Sequence, residues 1–430
     1  MNPPELKEVL PPQTAKSAVG PLNKGVGVLD CELALADVPK LGWNLLEEDL
    51  SLPAAVLYWE KLEHNLKWMQ AFAAAYGAKL APHGKTTMAP KLFQRQIERG
   101  AWGITLATAH QTRVAYEHGI RRVVMANQLV GRQNMEGIVR LIENDEFEFY
   151  CLIDSAENVN QLGSFFRDRG QRLNVLLELG VEGGRTGVRN RERLCSVLEA
   201  LSNCSGTLVL CGLEVYEGVL GDESAIRSYL EQALGVAREL VRDGRFQREP
   251  VILSGAGSSW YDIVAELLSS ADIGAPTEIV LRPGCYVTHD VGAYRIAQQR
   301  IQQQNTVAQQ MQPALEPALQ VWAYVQSIPE RELAIIGMGK RDVAFDAGLP
   351  TPALHYRSGW PGPVKPAQAW ALTRIMDQHA FLQIGQGDDL HVGDMIGFDI
   401  SHPCLTFDKW RYVSVIDHSY RVIDVVETFF

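Results

Sequence analysis

The sequence predicts an α/β protein in which a parallel (β/α)8 barrel is followed by a C-terminal antiparallel β-domain. Eight short apolar runs recur between residues 78 and 281, and most of them are separated by segments with helical periodicity. The runs do not alternate polar and apolar residues, which is typical of parallel strands buried on both faces. Beyond residue 320 the pattern changes to short alternating runs separated by Gly, Pro and Asp, which indicates antiparallel strands.

The composition fits a two-domain protein and excludes several function classes. The chain has 430 residues, of which 46% are hydrophobic, so it can bury one large core and one smaller core. Its net charge of −11 argues against nucleic acid as the main partner. The prolines near the N-terminus argue against a signal peptide, and no apolar run reaches the roughly 18 residues that a membrane span needs. We therefore expect a cytoplasmic location. The seven cysteines form no C-x-x-C pair and are expected to be reduced thiols.

In chain order, the pattern predicts an N-terminal arm over residues 1–50, with at most a short helix or strand after residue 29. The barrel is expected over residues 51–290 and the β-domain over 291–430. A strand is predicted at 53–59 and a helix at 61–76, and the apolar runs of the barrel end near Pro82, Ala107, Ala126, Ile153, Leu179, Leu213, Leu253 and Leu281. Helices are predicted at 111–118, 156–167, 192–201 and 223–241. An open doubly wound sheet is the alternative architecture.

The stretch from Ala78 to Pro90, AKLAPHGKTTMAP, carries the first candidate for chemistry. Lys85 follows the first apolar run of the predicted barrel, where active sites form at the carboxyl ends of the strands. A lysine held there among apolar neighbours can lose its proton and attack carbonyl carbons. A partly exposed loop lysine is the alternative interpretation. Pro90 is expected in the first turn of the next helix.

The loop after the seventh run, SGAGSSW at residues 254–260, is a candidate phosphate site. Small residues let backbone N–H groups approach a phosphate, and serine hydroxyls add donors in front of a helix. In barrels the loops after strands seven and eight often bind phosphate, although a plain Gly/Ser turn would look the same. A reactive lysine after strand one beside such a loop suits an aldehyde that carries a phosphate, and pyridoxal 5'-phosphate is the obvious candidate.

Six motifs carry a family resemblance, in the order PHGKTTMAP, EGGRTGV, GLEVYEG, SGAGSS, TEIVLRPGCYVTHD and SHPCLTFDKW. Together they resemble the D-serine dehydratase and D-threonine aldolase family, which consists of fold-type III pyridoxal phosphate enzymes related to alanine racemase. The resemblance extends from about residue 50 to the C-terminus, and so many motifs in one order rarely coincide by chance. It implies a barrel plus a β-rich domain that includes the strand at 53–59.

The resemblance also implies roles for individual residues. Lys85 would be the Schiff-base lysine, and Arg185 would lie near the phenolate oxygen of the cofactor. The phosphate would be held by Tyr216, Gly255, Gly257 and Ser258. Tyr286 would face the edge of the pyridine ring, and His83 would pack near the cofactor.

His402 and Cys404 form a His-x-Cys pair that is a candidate metal site. By spacing alone such a pair is more typical of structural residues, since two ligands leave zinc short of its usual four. In the resembled family this pair is the metal site, and open positions suit a catalytic metal whose shell is completed by substrate and water. The sulfur ligand favours Zn²⁺ over harder divalent ions, although another divalent metal is compatible with the pair.

These features imply a lyase that dehydrates and deaminates β-hydroxy D-amino acids, such as D-serine or D-threonine, to a 2-oxo acid and ammonia. Retro-aldol cleavage of the D-threonine aldolase type is the main alternative, and a racemase or a non-catalytic pyridoxal phosphate carrier are further ones. The resemblance also suggests a homodimer. Two segments match nothing in the family: the arm, and a Gln-rich segment at 298–312 that is expected to be solvated surface. Residues 340–342 are expected to form a surface turn.

Overall fold

The structure, a computed structural model, describes residues 17–430, so most of the predicted arm is covered but residues 1–16 lie outside the described part. The arm forms a short antiparallel pair, β1 (Ala18–Val19) and β2 (Leu33–Ala34), followed by 3-10 turns at Leu35–Leu41 and Leu45–Glu47. It is tied to the C-terminal domain, because the Tyr412 hydroxyl donates to the Ala18 carbonyl at 2.6 Å. The next strand is β3 (Ala54–Tyr58).

Eight parallel strands form the barrel, in agreement with the sequence prediction. They are β4 (Lys79–Leu80), β5 (Ile104–Leu106), β6 (Arg122–Gln128), β7 (Glu148–Ile153), β8 (Leu173–Leu179), β9 (Leu208–Val215), β10 (Val251–Gly255) and β11 (Thr277–Leu281). The sheet closes because β11 pairs with β4, and because a parallel bridge joins His83 to Thr105 of β5. The alternative of an open doubly wound sheet is therefore wrong.

The predicted helices lie between the strands, close to their expected bounds. They are α1 (Trp59–Ala75), α2 (Pro90–Glu98), α3 (Ala109–Glu117), α4 (Arg132–Ile142), α5 (Ala156–Arg167), α6 (Arg191–Asn203), α7 (Glu223–Arg242) and α8 (Tyr261–Ser270). Pro90 is the first residue of α2, where its fixed φ suits a helix and its missing N–H costs nothing. Thr108 and Ser155 cap α3 and α5 through their side-chain oxygens.

Both faces of the barrel sheet are buried, which explains why its strands read as unbroken apolar runs. One face fills the barrel interior with a cluster that includes Ala81, Tyr150, Leu176, Ile252 and Val280. The other face packs against the surrounding helices. Burial on both sides leaves the carboxyl ends of the strands as the place where polar side chains can converge.

The second domain is a mostly antiparallel sheet built from β3 and the C-terminal third of the chain. Its other strands are β12 (Leu319–Glu330), β13 (Leu333–Ile336), β14 (Thr351–Tyr356), β15 (Ala371–Ile375), β16 (Ala380–Gln383), β17 (Met395–Asp399), β18 (Tyr412–Ile416) and β19 (Val422–Glu427). The strand β3 is central, because it pairs antiparallel with β12 and parallel with β18. The chain therefore enters the sheet before it builds the barrel.

Two surface expectations hold for most but not all of the residues concerned. The Gln-rich segment folds into α9 (Ala293–Gln304) and α10 (Thr306–Gln310), and Gln298 is buried, where its side-chain oxygen accepts from the Tyr261 hydroxyl at 2.5 Å. In the expected surface turn, Asp342 is also buried and pairs with Lys24 at 2.6 Å. In both places a polar residue is buried because a partner distant in sequence satisfies it.

None of the helices between residues 17 and 430 combines the length and the apolar character that crossing a membrane requires.

Replacing Leu57 with Ala tests the central role of β3. Its side chain is 0% exposed, and Leu→Ala at such sites costs about 2–5 kcal/mol of unfolding free energy. Leu22, which is 98% exposed, provides the matched control, since the same substitution there should change the free energy by no more than about 0.5 kcal/mol. Urea unfolding followed by tryptophan fluorescence measures both. Equal stabilities for the two variants would contradict the packing described for β3.

Candidate active site

Lys85 lies at the mouth of the barrel, in a 3-10 turn (Gly84–Thr86) just after β4. The turn is close-packed: a Cβ at Gly84 would lie 2.8 Å from the Phe93 ring and 3.0 Å from Ile104. Only glycine therefore lets the chain bend directly below Lys85. The Lys85 side chain opens to solvent at the mouth rather than packing into the interior cluster.

The surroundings of Lys85 favour its neutral, nucleophilic form. Partial burial of the ammonium group lowers its pKa, and the positive charges of Arg185 and Arg282 lower it further, while the thiols of Cys404 and Cys285 act in the opposite direction. These neighbours come from the loop after β8, the end of β11 and the second domain. Lys85 is thus the point where both domains converge.

The loop between β10 and α8 presents its small residues to the same mouth. A Cβ at Gly257 would meet the Tyr216 ring at 3.2 Å, so the two residues are in close contact. The Ser258 hydroxyl oxygen accepts from the amides of Gly284 and Cys285 at 3.2 and 3.1 Å. This interaction fixes the loop after β10 against the loop after β11, as the prediction of adjoining phosphate loops requires.

Glu217, in the 3-10 turn (Glu217–Val219) after β9, supports this loop and was not selected from the sequence. Its buried carboxylate accepts from the amides of Gly257 at 2.7 Å and Ala256 at 3.2 Å. Burial raises the pKa of Glu217, although the two amide hydrogen bonds oppose that shift. Ala256 has a positive φ of 76°, and the hydrogen bond to Glu217 helps to hold this left-handed conformation.

Two arginines line the mouth. The Arg185 guanidinium lies 4.1 Å above the Tyr216 ring, a cation–π contact that joins two of the predicted residues. Arg282, which the sequence reasoning did not select although it lies in the RPGCYV motif, forms a buried ion pair with Glu214. Burial raises the pKa of Glu214 to about 7 against the opposing charge of Arg282.

The remaining predicted residues differ in position. His83 is the N-cap residue of the turn that carries Lys85, and burial together with the charges of Lys85 and Arg282 lowers its pKa well below the usual value, which favours the neutral ring. Tyr286 instead packs in the core between the barrel and its helices, and its hydroxyl accepts from Gln96 of α2 at 3.2 Å. The structure does not bring the Tyr286 hydroxyl into the group around Lys85.

His402 and Cys404 face the barrel mouth from the second domain. Cys404 begins α11 (Cys404–Phe407), and its Sγ lies 3.5 Å from the Thr86 hydroxyl and 3.7 Å from the Cys285 Sγ. His402 Nδ1 lies 2.8 Å from Asp346 Oδ2. Contact between the two side chains raises the pKa of His402, and hydrogen bonds from Cys285 and His402 lower the pKa of Cys404. The pair therefore favours a thiolate, the form that binds metals.

One cavity of about 290 Å³ extends from the candidate phosphate loop to His402. Its walls include Gly257 and Ser258 of the loop after β10, Tyr216 of the loop after β9, and His402 and Asp346 of the second domain. A larger cavity of about 650 Å³ lies between α6 and α7, and its lining contains neither Lys85 nor the His402–Cys404 pair. The smaller cavity is therefore the one whose walls include both the candidate phosphate loop and His402 of the second domain.

The residues at the mouth fit pyridoxal phosphate. Three buried polar atoms there have no hydrogen-bond partner among the described residues: His83 Nδ1, Arg282 Nε and Glu214 Oε2. Buried polar atoms are normally satisfied, so a polar ligand is the expected partner. Lys85 and Arg185 provide positive charge for an anionic cofactor, and the loop of small residues provides space for its phosphate.

The His402–Cys404 pair also fits a metal ion, with an incomplete protein shell. Asp346 holds one ring nitrogen of His402, as carboxylates commonly do for metal-binding histidines. Within residues 17–430 no three His, Cys, Asp or Glu side chains are arranged as a complete metal-binding group. Any ion held here would therefore need ligands from water or substrate, which is the pattern of a catalytic site.

Comparison with known proteins matches both domains. The model of the alanine racemase N-terminal domain matches residues 58–269, and that of a putative serine dehydratase domain matches residues 318–416. D-threonine aldolase from Arthrobacter sp. is 24% identical over 345 residues, which cover 78% of this chain and 80% of that protein.

Two solved structures share the whole architecture. D-threonine aldolase from Filomicrobium marinum superposes with a TM-score of 0.73 at 23% identity, covering 90% of this chain and 97% of that one. D-threo-3-hydroxyaspartate dehydratase from Delftia sp. HT23 gives a TM-score of 0.70 at 20% identity, covering 90% and 99%. The chain thus joins a region that matches the alanine racemase N-terminal domain to one that matches a putative serine dehydratase domain, and in sequence and fold it is similar to D-threonine aldolases and D-threo-3-hydroxyaspartate dehydratases.

Proposed function

We propose that this protein is a pyridoxal phosphate- and metal-dependent lyase that converts β-hydroxy D-amino acids, such as D-serine or D-threonine, into a 2-oxo acid and ammonia. The observation that carries this proposal is the single cavity that joins the loop after β10 to His402. A substrate whose amino group is near Lys85 would extend its β-carbon toward the second domain. The known relatives are lyases named for β-hydroxy D-amino acids, which supports the substrate class.

Lys85 is the residue proposed to move the proton. The bound cofactor would act as an electron sink that acidifies the α-carbon of an amino acid. The Lys85 amine, with its lowered pKa, is suited to accept that proton at Nζ. Arg185, packed on the Tyr216 ring, would supply positive charge near the cofactor's oxygen, and Ser258 and Gly257 would hold its phosphate.

His402 and Cys404 are proposed to hold Zn²⁺, which would supply a Lewis acid for the leaving hydroxide. A thiolate ligand favours zinc over harder divalent ions. A solved variant of a D-threo-3-hydroxyaspartate dehydratase is described as being in the metal-free form, which supports the proposal of a metal at this pair. Asp346 would keep the His402 ring in the orientation and tautomer that leave its other nitrogen free.

Retro-aldol cleavage is the second candidate, because a D-threonine aldolase is among the relatives. It would use the same residues but would need a base on the β-hydroxyl. Incubation with D-threonine separates the two: dehydration releases ammonia and 2-oxobutanoate, whereas cleavage releases glycine and acetaldehyde. We expect ammonia and 2-oxobutanoate in equal amounts. Acetaldehyde as the main product would overturn the dehydratase assignment and leave the lyase assignment intact.

The substrate range is tested with D-serine, D-threonine and D-threo-3-hydroxyaspartate, each with and without added zinc. We expect keto-acid release from at least one of them and none from the corresponding L-isomers. Interconversion of D- and L-alanine without keto acid would instead identify a racemase. Cofactor binding without turnover of any of these compounds would identify a carrier. We further propose that the protein is cytoplasmic and that it forms a homodimer. Sedimentation equilibrium of the cofactor-loaded protein tests the oligomeric state.

A further inference from the structure

Two thiols from different domains are in contact at the mouth of the barrel. Cys285 begins the 3-10 turn Cys285–Val287 after β11, and Cys404 begins α11 in the β-domain. Their Sγ atoms are 3.7 Å apart although the residues are separated by 119 positions. The Thr86 hydroxyl lies 3.8 Å from the first sulfur and 3.5 Å from the second, so both thiols face the turn that carries Lys85.

The two cysteines differ in access to solvent. Cys404 is only partly buried, and its neighbour His402 lines the cavity, whereas Cys285 is 4% exposed. A small oxidant therefore reaches Cys404 before Cys285, which lies in contact with it. This arrangement, an accessible thiol backed by a second thiol, is that of redox-sensitive cysteine pairs.

We propose that Cys404 and Cys285 form a reversible disulfide when the protein is exposed to a peroxide. The Cys404 sulfur attacks the peroxide, so that the O–O bond breaks, the thiol proton and the departing hydroxide leave as water, and a sulfenic acid forms at Cys404. The Cys285 thiol then attacks the Cys404 sulfur, the S–S bond forms and water leaves. Overall, two thiols lose two electrons and two protons, and hydrogen peroxide becomes two molecules of water. The sulfur atoms need only close from 3.7 Å to a bond of about 2.05 Å.

The disulfide would have two effects. It would link the barrel covalently to the β-domain at the active site, and it would remove the thiolate that the proposed function assigns to the metal. The second effect rests on the proposed function, while the first does not. A bound metal should in turn protect Cys404, because a coordinated thiolate is less available to an oxidant. The Cys404 sulfur can therefore bind the metal or take part in the disulfide, but not both at once.

The test uses the full chain without its two exposed thiols, as the variant Cys31→Ser/Cys195→Ser. Five of the seven cysteines remain in it. After treatment with hydrogen peroxide and removal of metal, we expect three free thiols per chain, a non-reduced proteolytic fragment that joins Cys285 to Cys404, and recovery of five thiols with dithiothreitol. Adding Cys285→Ser should abolish the cross-linked fragment, and circular dichroism checks that this variant is folded. The matched control Cys211→Ser, at another buried thiol, should retain the fragment.

Several results would overturn the proposal. These are an unchanged thiol count, oxidation of Cys404 to a sulfinic acid with Cys285 still free, or a cross-linked fragment that persists in the Cys285→Ser variant. The readout needs neither turnover nor cofactor, so a failed lyase assay would leave it intact. Repeating the oxidation after addition of Zn²⁺ tests whether a bound metal protects Cys404. Full protection of both thiols is expected, and equal oxidation with and without zinc would show that the metal and the disulfide do not compete for Cys404.

Discussion

Replacement of Lys85 by alanine is expected to remove both turnover and covalent cofactor binding. Without the amine no imine with pyridoxal phosphate can form, and no group in its place can accept the α-proton, so the rate should fall by at least about 10²–10⁴-fold. Absorbance of the purified protein above 400 nm, and borohydride reduction followed by mass mapping of the fragment that contains residue 85, measure the covalent link. Keto-acid release from D-serine measures the turnover.

Lys79 provides the control for this experiment. It belongs to β4, six positions before Lys85, and its side chain is exposed. Lys79→Ala should retain the absorbing species and the rate within a factor of about two, because exposed substitutions away from a site rarely matter. A Lys85→Ala variant that still carries the reducible adduct and turns over substrate would end the assignment of Lys85, and with it the proposed mechanism.

Replacement of His402 by alanine is expected to weaken metal binding while leaving cofactor binding unchanged. Removing one of two protein ligands should lower metal affinity by at least about 10–100-fold, and keto-acid release should fall in parallel. The absorbance of bound pyridoxal phosphate should remain, since Lys85 and the loop after β10 are untouched. Metal content per chain by atomic emission and the cofactor spectrum distinguish these effects. A chelator applied to the unmodified protein should give the same result, reversed by added zinc.

His418 is the matched control for the second experiment. It is 83% exposed and contacts only Glu60 among the ion pairs described, at 3.6 Å. His418→Ala should leave metal content, cofactor spectrum and rate unchanged. If the His402→Ala variant or the metal-free protein keeps its full rate, then His402 and Cys404 take no part in the chemistry, whatever metal they bind.

The sequence predicted the features that depend on local pattern. Each barrel strand appears as an apolar run because both its faces are buried, and Pro90 marks the start of α2 by its own backbone geometry. The lysine turn and the loop after β10 were found because active sites form at the carboxyl ends of barrel strands. Their roles in binding a cofactor stay predictions.

Features created by residues that meet from distant parts of the chain were missed. Asp346 supports His402 across 56 positions, and the Arg282–Glu214 pair spans 68. No local signal marks such partners, although Arg282 lies inside the motif TEIVLRPGCYVTHD. The same limit explains why Gln298 was expected at the surface, since its partner Tyr261 is 37 positions away, and why the contact between Tyr286 and Gln96 of α2 was not foreseen.

The position of β3 determines the order in which the molecule can be completed during synthesis. Tyr58 lies at the end of β3, and its hydroxyl donates to Gln320, 262 positions later, so this strand leaves the ribosome long before its partners exist. All five residues of β3 are buried in the finished sheet. Their apolar side chains therefore stay exposed to solvent while the barrel is synthesised. Cutting the gene at the boundary between barrel and sheet would therefore yield a C-terminal fragment without its middle strand, and neither half is expected to be soluble alone.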